Sequence, residues 1–206
     1  MRKTRVLGCR SMRVLSIILL SFSSAAAADR YVRATVDEDG QLRIVTAAGR
    51  TIEPIKEKDQ IRFAKPQIAP GGGAVGWLVE YPNCCTSYPI ALKLMIRSDD
   101  RVRAFAGNGL PIWQWGFQSG GSQFAFHQET VHGGMGLHYE LRDVASGRLI
   151  AKYDPAVGPD NHVLPSQSVP AWVAELTARV AAQQRGVDRA PLPALGIDRI
   201  ERPTED

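Results

Sequence analysis

The chain has 206 residues, with 25 Lys and Arg against 21 Asp and Glu, a formal net charge of +4, and three cysteines. The first 28 residues hold five of the basic side chains and none of the acidic ones, which leaves 20 against 21 in the rest. The basic character therefore belongs to the N-terminal stretch, and a net-charge case for nucleic-acid binding fails.

In chain order, Arg2, Lys3, Arg5, Arg10 and Arg13 precede an apolar run from Val14 to Phe22, and small residues follow as far as Ala28. A basic n-region, a short apolar core and a small-residue exit predict a secretory signal peptide, residues 1–28, cleaved after Ala27 or Ala28. The core is about half the roughly 20 residues a membrane-spanning helix needs, and nothing after Phe22 is longer and as apolar. Cys9 precedes the apolar core instead of following it, so it is not read as a lipidation site. The expected location is periplasmic or secreted, with no transmembrane segment in the mature chain.

The mature part is long enough for one domain with a core of its own, and we place it at 29–165. "YVRATV", "QLRIVT" and "TIEPI" read as three short strands with turns at Asp39-Gly40 and Gly49-Arg50. Next, "PGGGAVGWLVE" from Pro70 aligns without gaps over "SGGSQFAFHQE" from Ser119, an offset of 49. Gly71 and Gly72 fall on Gly120 and Gly121, Val75 on Phe124, Trp77 on Phe126, and Glu80 on Glu129. Downstream, Leu92, Leu94, Ile96 and Arg97 fall on Leu137, Tyr139, Leu141 and Arg142. Each stretch reads as a glycine-rich turn, a strand and a hairpin, whose tips are Asp99-Asp100 and Ser146-Gly147. The units are 31–64, 65–107 and 110–154.

A period in the forties with about four short strands per unit marks propeller-type repeats. "IAPGGGAVGWLVE" and "YELRDVASGRLIAKYD" resemble the turn-plus-strand and the outer hairpin of WD40-like repeats of the TolB-propeller type, over residues 67–154. The resemblance implies blade-like antiparallel sheets. Three units are fewer than the four a closed ring requires. The expected fold is mainly β, an incomplete propeller or stacked sheets, with one C-terminal α-helix.

That helix is expected over 166–186. Ser168 is a suitable N-cap, Pro170 sits in the first turn, and Gly186 stands where a C′ residue belongs. Trp172, Leu176 and Val180 form an apolar stripe, with Val173 beside it, that should pack on a sheet. Residues 187–206, which include Leu195 and Ile197, read as a tail.

Two clusters carry candidate chemistry. Cys84 and Cys85 are adjacent in "YPNCCTSYP". Consecutive Cα atoms lie about 3.8 Å apart, below the usual range of roughly 4.4–6.8 Å for a disulfide. A vicinal bridge would be strained; two reduced thiols, a metal ligand or an intermolecular bridge are the alternatives. This loop aligns with "TVHGGMG", so both inserted loops are expected at one rim. Cys84, Cys85, Tyr88, His132 and Met135 are the candidate partner-binding residues there.

His127, His132 and His138 gather around Glu129 and Glu140, with His138 sharing a strand face with Glu140 and His127 with Glu129. The spacings match no zinc signature, and His162 stands alone. "PIWQWGF" reads as a core strand or an aromatic platform. No cofactor is implied. The function expected is binding or envelope assembly without turnover, on an envelope protein or a peptide. The alternative is a hydrolase or metal-dependent enzyme that uses the three histidines or the cysteine pair, and a domain that binds no ligand is a third class.

Overall fold

The computed structural model describes residues 30–84, 87–106, 109–132, 136–156, 158, 164 and 168–188, with no side-chain account of 180 and 183–188. The expected signal peptide, Cys85, Met135, His162, Leu195 and Ile197 lie outside the described residues.

The protein is mainly β, and its described residues build three antiparallel sheets and one α-helix. The first sheet is β1 (Tyr31–Val36), β2 (Leu42–Thr46) and β3 (Thr51–Ile52) in chain order. Gly40 and Gly49, at positive φ, turn its two hairpins. Pro54, which cannot donate to a ladder, follows β3 closely and leaves it two residues long. The second sheet is a four-stranded meander of β4 (Arg62–Ile68), β5 (Ala74–Tyr81), β6 (Ile90–Ser98) and β7 (Arg101–Ala106). The third repeats it with β8 (Ile112–Gln118), β9 (Gln123–Gln128), β10 (His138–Asp143) and β11 (Leu149–Tyr153).

The sheets stack face to face, as alternation within each strand demands. Val75, Trp77 and Val79 of β5 meet Tyr31, Leu42 and Ile44 of the first sheet. The opposite face of β5, with Ala74 and Leu78, joins Leu94 and Ile96 of β6 against Trp115, Phe117, Phe124 and Phe126 of the third sheet. The far face of the third sheet, Ala125 and Leu141, is closed by Leu176 of α1 (Ala171–Asp188), with Trp172 packed beside it. The helix stands where a fourth sheet would lie, and no closed ring forms among the described residues.

The two meanders are superposable in register. Val75 pairs across strands with Arg97, and Phe124 with Arg142; Trp77 pairs with Met95, and Phe126 with Glu140. Val75 and Phe124 are both fully buried and both face the preceding sheet. The equivalent arginines also reach back one layer. Arg97 Nε donates to the Tyr31 hydroxyl at 3.1 Å, and the Arg142 guanidinium lies 5.3 Å from the Phe105 ring centre.

One position breaks the equivalence for a steric reason. Gly76 aligns with Ala125. A Cβ on Gly76 would stand 2.6 Å from Ile96 Cδ1 and 2.6 Å from Trp115 Cη2, so the missing side chain is where the Trp115 indole lies. Ala125 faces the opposite way, toward the helix, where it packs with Leu176, away from the Trp115 indole. Gly76→Ala is therefore expected to cost about 1–3 kcal/mol by overpacking, measured by urea unfolding; a loss within about 0.5 kcal/mol would show that Trp115 can step aside.

The helix differs from expectation at both ends. The Pro170 carbonyl accepts from Val173 N at 3.0 Å and Ala174 N at 3.1 Å, so Pro170, not Ser168, stands at the N-cap. The cause is local: a proline disfavours helical backbone in the residue before it, which keeps Val169 out. At the other end the helix passes through Gly186 and runs to Asp188. None of the described helices is long and apolar enough to cross a membrane.

Candidate functional site

Both inserted loops, β5–β6 and β9–β10, leave the stack at the same end. They are joined through β8. Tyr88, 46% exposed, sits edge-on to Trp113 with ring centres 6.5 Å apart. Trp113 Nε1 donates to the Glu129 carbonyl at 3.1 Å, and Glu129 N donates to the Pro111 carbonyl at 3.3 Å. The two loops and the start of β8 thus make one continuous rim, with an aromatic pair at its centre.

A backbone irregularity presents Trp113. The β8–β9 register shifts between Ile112 and Gln114, and the β4–β5 register shifts between Ala64 and Gln67. These matched bulges lie side by side. Lys65, at φ 46°, donates from Nζ to the Trp113 carbonyl at 2.7 Å, while Trp115 Nε1 donates to the Lys65 carbonyl at 3.1 Å. A bulge frees one residue from the ladder and re-aims its side chain. Here it leaves Ile112 and Trp115 buried and Trp113 half-buried at the rim. The "PIWQWGF" pattern hinted at the aromatic surface, but two-residue alternation contains no signal for the bulge.

Cys84 and His132 are both exposed, one in each loop. Tyr88 is tied to another part of the chain by way of Trp113.

The histidines do not converge. Tyr139 pairs across strands with His127, which places His127 on the face toward α1 and His138 on the opposite face. His127 is 6% exposed and stacks on Tyr139 with ring centres 4.5 Å apart. Among the described residues neither of its ring nitrogens has a hydrogen-bond partner, and Nε2 lies 3.4 Å from Glu129 Oε2. Burial pushes its pKa down, against the pull of Glu129. On the other face, His138 Nδ1 meets Asp154 and Nε2 lies 3.2 Å from Glu140 Oε1; Glu140 also accepts from Arg142 Nε at 2.5 Å. Burial lowers the pKa of His138, but the bonds to Asp154 and Glu140 outweigh it and raise the net value. A sheet separates the two imidazoles, and among the described residues no three His, Cys, Asp or Glu side chains form a metal-binding group.

The opposite shifts have opposite consequences for stability. The lowered pKa of His127 means that the unfolded chain binds its proton first, so stability is lost as pH falls below the ordinary histidine value of about 6.5. The raised pKa of His138 contributes stability that is present below that value and lost as pH rises through its folded pKa. His127→Phe keeps the stack on Tyr139 and removes two buried, unpaired nitrogens, so it is expected to be neutral or stabilising at pH 7. Its advantage over wild type should widen between pH 7 and pH 5, measured by chemical unfolding at each pH. A constant difference would show that His127 accepts a proton freely in the fold.

The sequence did not point to a cavity of about 340 Å³ between the first two sheets. It exists because β3 is too short to cover the outer half of the second sheet, so Trp77, Met95, Arg97 and Val102 line it. Beside it, bonds from Lys93 and then Tyr81 hold the Glu57 carboxyl below its ordinary range. No protein-family model matches this chain and no curated protein does, so its reading rests on the geometry of these sheets and loops.

Proposed function

We propose that this chain is an exported, propeller-type repeat module that binds an envelope protein or peptide without chemical turnover. Its binding surface is the rim of Tyr88, Trp113 and the two inserted loops. The observation that carries this reading is the chain of contacts from Tyr88 to Trp113 to Glu129, which makes one surface from loops 49 residues apart in the repeat. An exposed tyrosine beside a half-buried tryptophan, both held by neighbouring strands, offers large contact area with little entropy left to lose. The division of His127 and His138 between opposite faces favours binding over acid–base catalysis, which needs its groups within hydrogen-bond reach of one another.

The test has two parts. N-terminal sequencing of the protein from a periplasmic fraction should begin near Ala28 or Asp29; an intact Met1 on cytoplasmic protein would refute export. A photo-crosslinking residue placed at Tyr88 in cells should then yield a discrete adduct that disappears with Trp113→Ala. The same probe at Val32, exposed on the first sheet, should give none. Equal labelling from both positions, or an adduct indifferent to Trp113, would remove the rim from consideration.

A further inference from the structure

The cavity of about 340 Å³ between the first two sheets shares no lining residue with the rim pair of Tyr88 and Trp113. Its volume is near the lower end of the range for small-molecule sites, about 300–1,000 Å³. Its walls are mostly apolar, with Ile52, Phe63, Trp77, Val79 and Met95 among them. Ile55 and Val102, also in its lining, are 92% and 45% exposed, so it opens to the surface beside them.

Two donors border it without acceptors. Trp77 is 2% exposed, and its Nε1 has no hydrogen-bond partner among the described residues. The same holds for Nε2 of Gln60, whose Oε1 accepts from the Glu57 amide at 2.9 Å. A buried N–H ordinarily has an acceptor, and leaving one without costs stability. Two such groups around one apolar space match an acceptor oxygen on an otherwise apolar molecule.

The charges of the lining are already paired within the chain. Glu53 accepts from Arg43 Nε at 3.0 Å. Glu57 meets Lys93 and accepts from the Tyr81 hydroxyl at 2.7 Å. Arg97 donates from Nε to the Tyr31 hydroxyl at 3.1 Å and from Nη2 to Asp100 at 2.9 Å. A charged ligand would lose its hydration here and find each lining charge engaged elsewhere.

We propose that this cavity is a binding site for an uncharged, mostly apolar molecule that carries a carbonyl oxygen, with Trp77 Nε1 and Gln60 Nε2 as the donors to that oxygen. A carbonyl oxygen has two lone pairs and can accept from both. At water's share of liquid volume, roughly 30 Å³ per non-hydrogen atom, the 340 Å³ accommodates about eleven such atoms. Both nitrogens are covered by neighbouring atoms, so a ligand reaches them as part of the wall gives way. The connection between β3 and β4, residues 53–61, is that part: it contains no strand or helix and supplies Ile55, Glu57 and Gln60 to the lining.

The experiment titrates the full chain, isotope-labelled for nitrogen NMR, with benzylacetone, a neutral aryl ketone of that size, and in parallel with phenylbutyrate, its carboxylate counterpart. The four tryptophan indole N–H signals are assigned with Trp113→Phe, Trp115→Phe and Trp172→Phe, which leave the cavity lining unchanged and identify Trp77 by elimination. Benzylacetone is expected to move the Trp77 indole proton downfield, the mark of a new acceptor, and to give nuclear Overhauser contacts with the Met95 and Val102 methyl groups. Phenylbutyrate should bind about tenfold more weakly, because its charge would be buried unpaired. A Trp77 signal unmoved up to the ketone's solubility limit, contacts confined to Trp113 or to residues outside the cavity, or equal affinity for the carboxylate would overturn the proposal.

Discussion

Phe124→Ala is expected to remove about 3–5 kcal/mol of stability, the range for deleting a buried aromatic ring, and to lower the melting midpoint by roughly 10 °C for a chain of this size. Phe124 is 0% exposed. It lies at the centre of the interface between the second and third sheets, 4.9 Å from the Phe105 ring across that interface and 6.4 Å from Phe126 along its own strand. Both neighbours are held by their strands, so the cavity cannot close by side-chain motion alone, and the cost belongs in the upper part of the range. Thermal and urea unfolding measure it. A loss below about 1 kcal/mol would mean that the two meanders do not share a packed interface.

The second large effect separates two adjacent glycines. Gly71 and Gly72 both have positive φ, +82° and +75°. A Cβ on Gly71 would meet nothing within 4 Å, while one on Gly72 would stand 2.8 Å from the Tyr31 carbonyl oxygen and 3.2 Å from Arg30 Cβ. Gly71→Ala should therefore cost only the left-handed backbone strain, about 1–2 kcal/mol. Gly72→Ala should cost about 2–4 kcal/mol, because the first sheet must also move away. Gly121 repeats the arrangement one layer on: its φ is +97°, and its added Cβ would lie 3.0 Å from both Ala69 Cβ and the Pro70 carbonyl. The second glycine of each pair is thus the point where one unit's turn touches the backbone of the unit before it. Equal losses for Gly71→Ala and Gly72→Ala would show that the contact with Tyr31 carries no energy.

This contact also explains why the first sheet lacks the paired glycines. No earlier sheet precedes β1 among the described residues, so no turn there has to approach a neighbour's backbone. The pair was visible in the sequence as a repeat signature, but its purpose was not, because closeness to Tyr31 is a relation between layers.

Most of the strands were legible, since they are short, rich in β-branched and aromatic residues, and bounded by glycine, proline or Asp-Asp turns; β4 was not, because Pro66 inside it argues against a strand. The helix was legible from Trp172 and Leu176 at a four-residue interval. Its start was misplaced by the attraction of Ser168 as a cap, which the restriction imposed by Pro170 overrode. The rim was legible as two loops at matching positions, with Tyr88 in one of them. Trp113 was not recognised as the residue that joins them, because a bulge alters the face of a side chain without any change in composition.

The sequence by itself determined that this chain forms antiparallel meanders with a helix after them, because local periodicity and turn chemistry act within a few residues of each other. Tertiary structure alone decided which residues meet. His127 and His138 are close in sequence and alike in chemistry, yet the pairing of Tyr139 with His127 sends them to opposite faces of one sheet. A register shift of one residue would have put them together. Likewise, nothing in the helix sequence states that it covers β8 and β9 and leaves Tyr139 and Tyr153 beside an open groove. That follows from a single helix being narrower than the four-stranded sheet it closes.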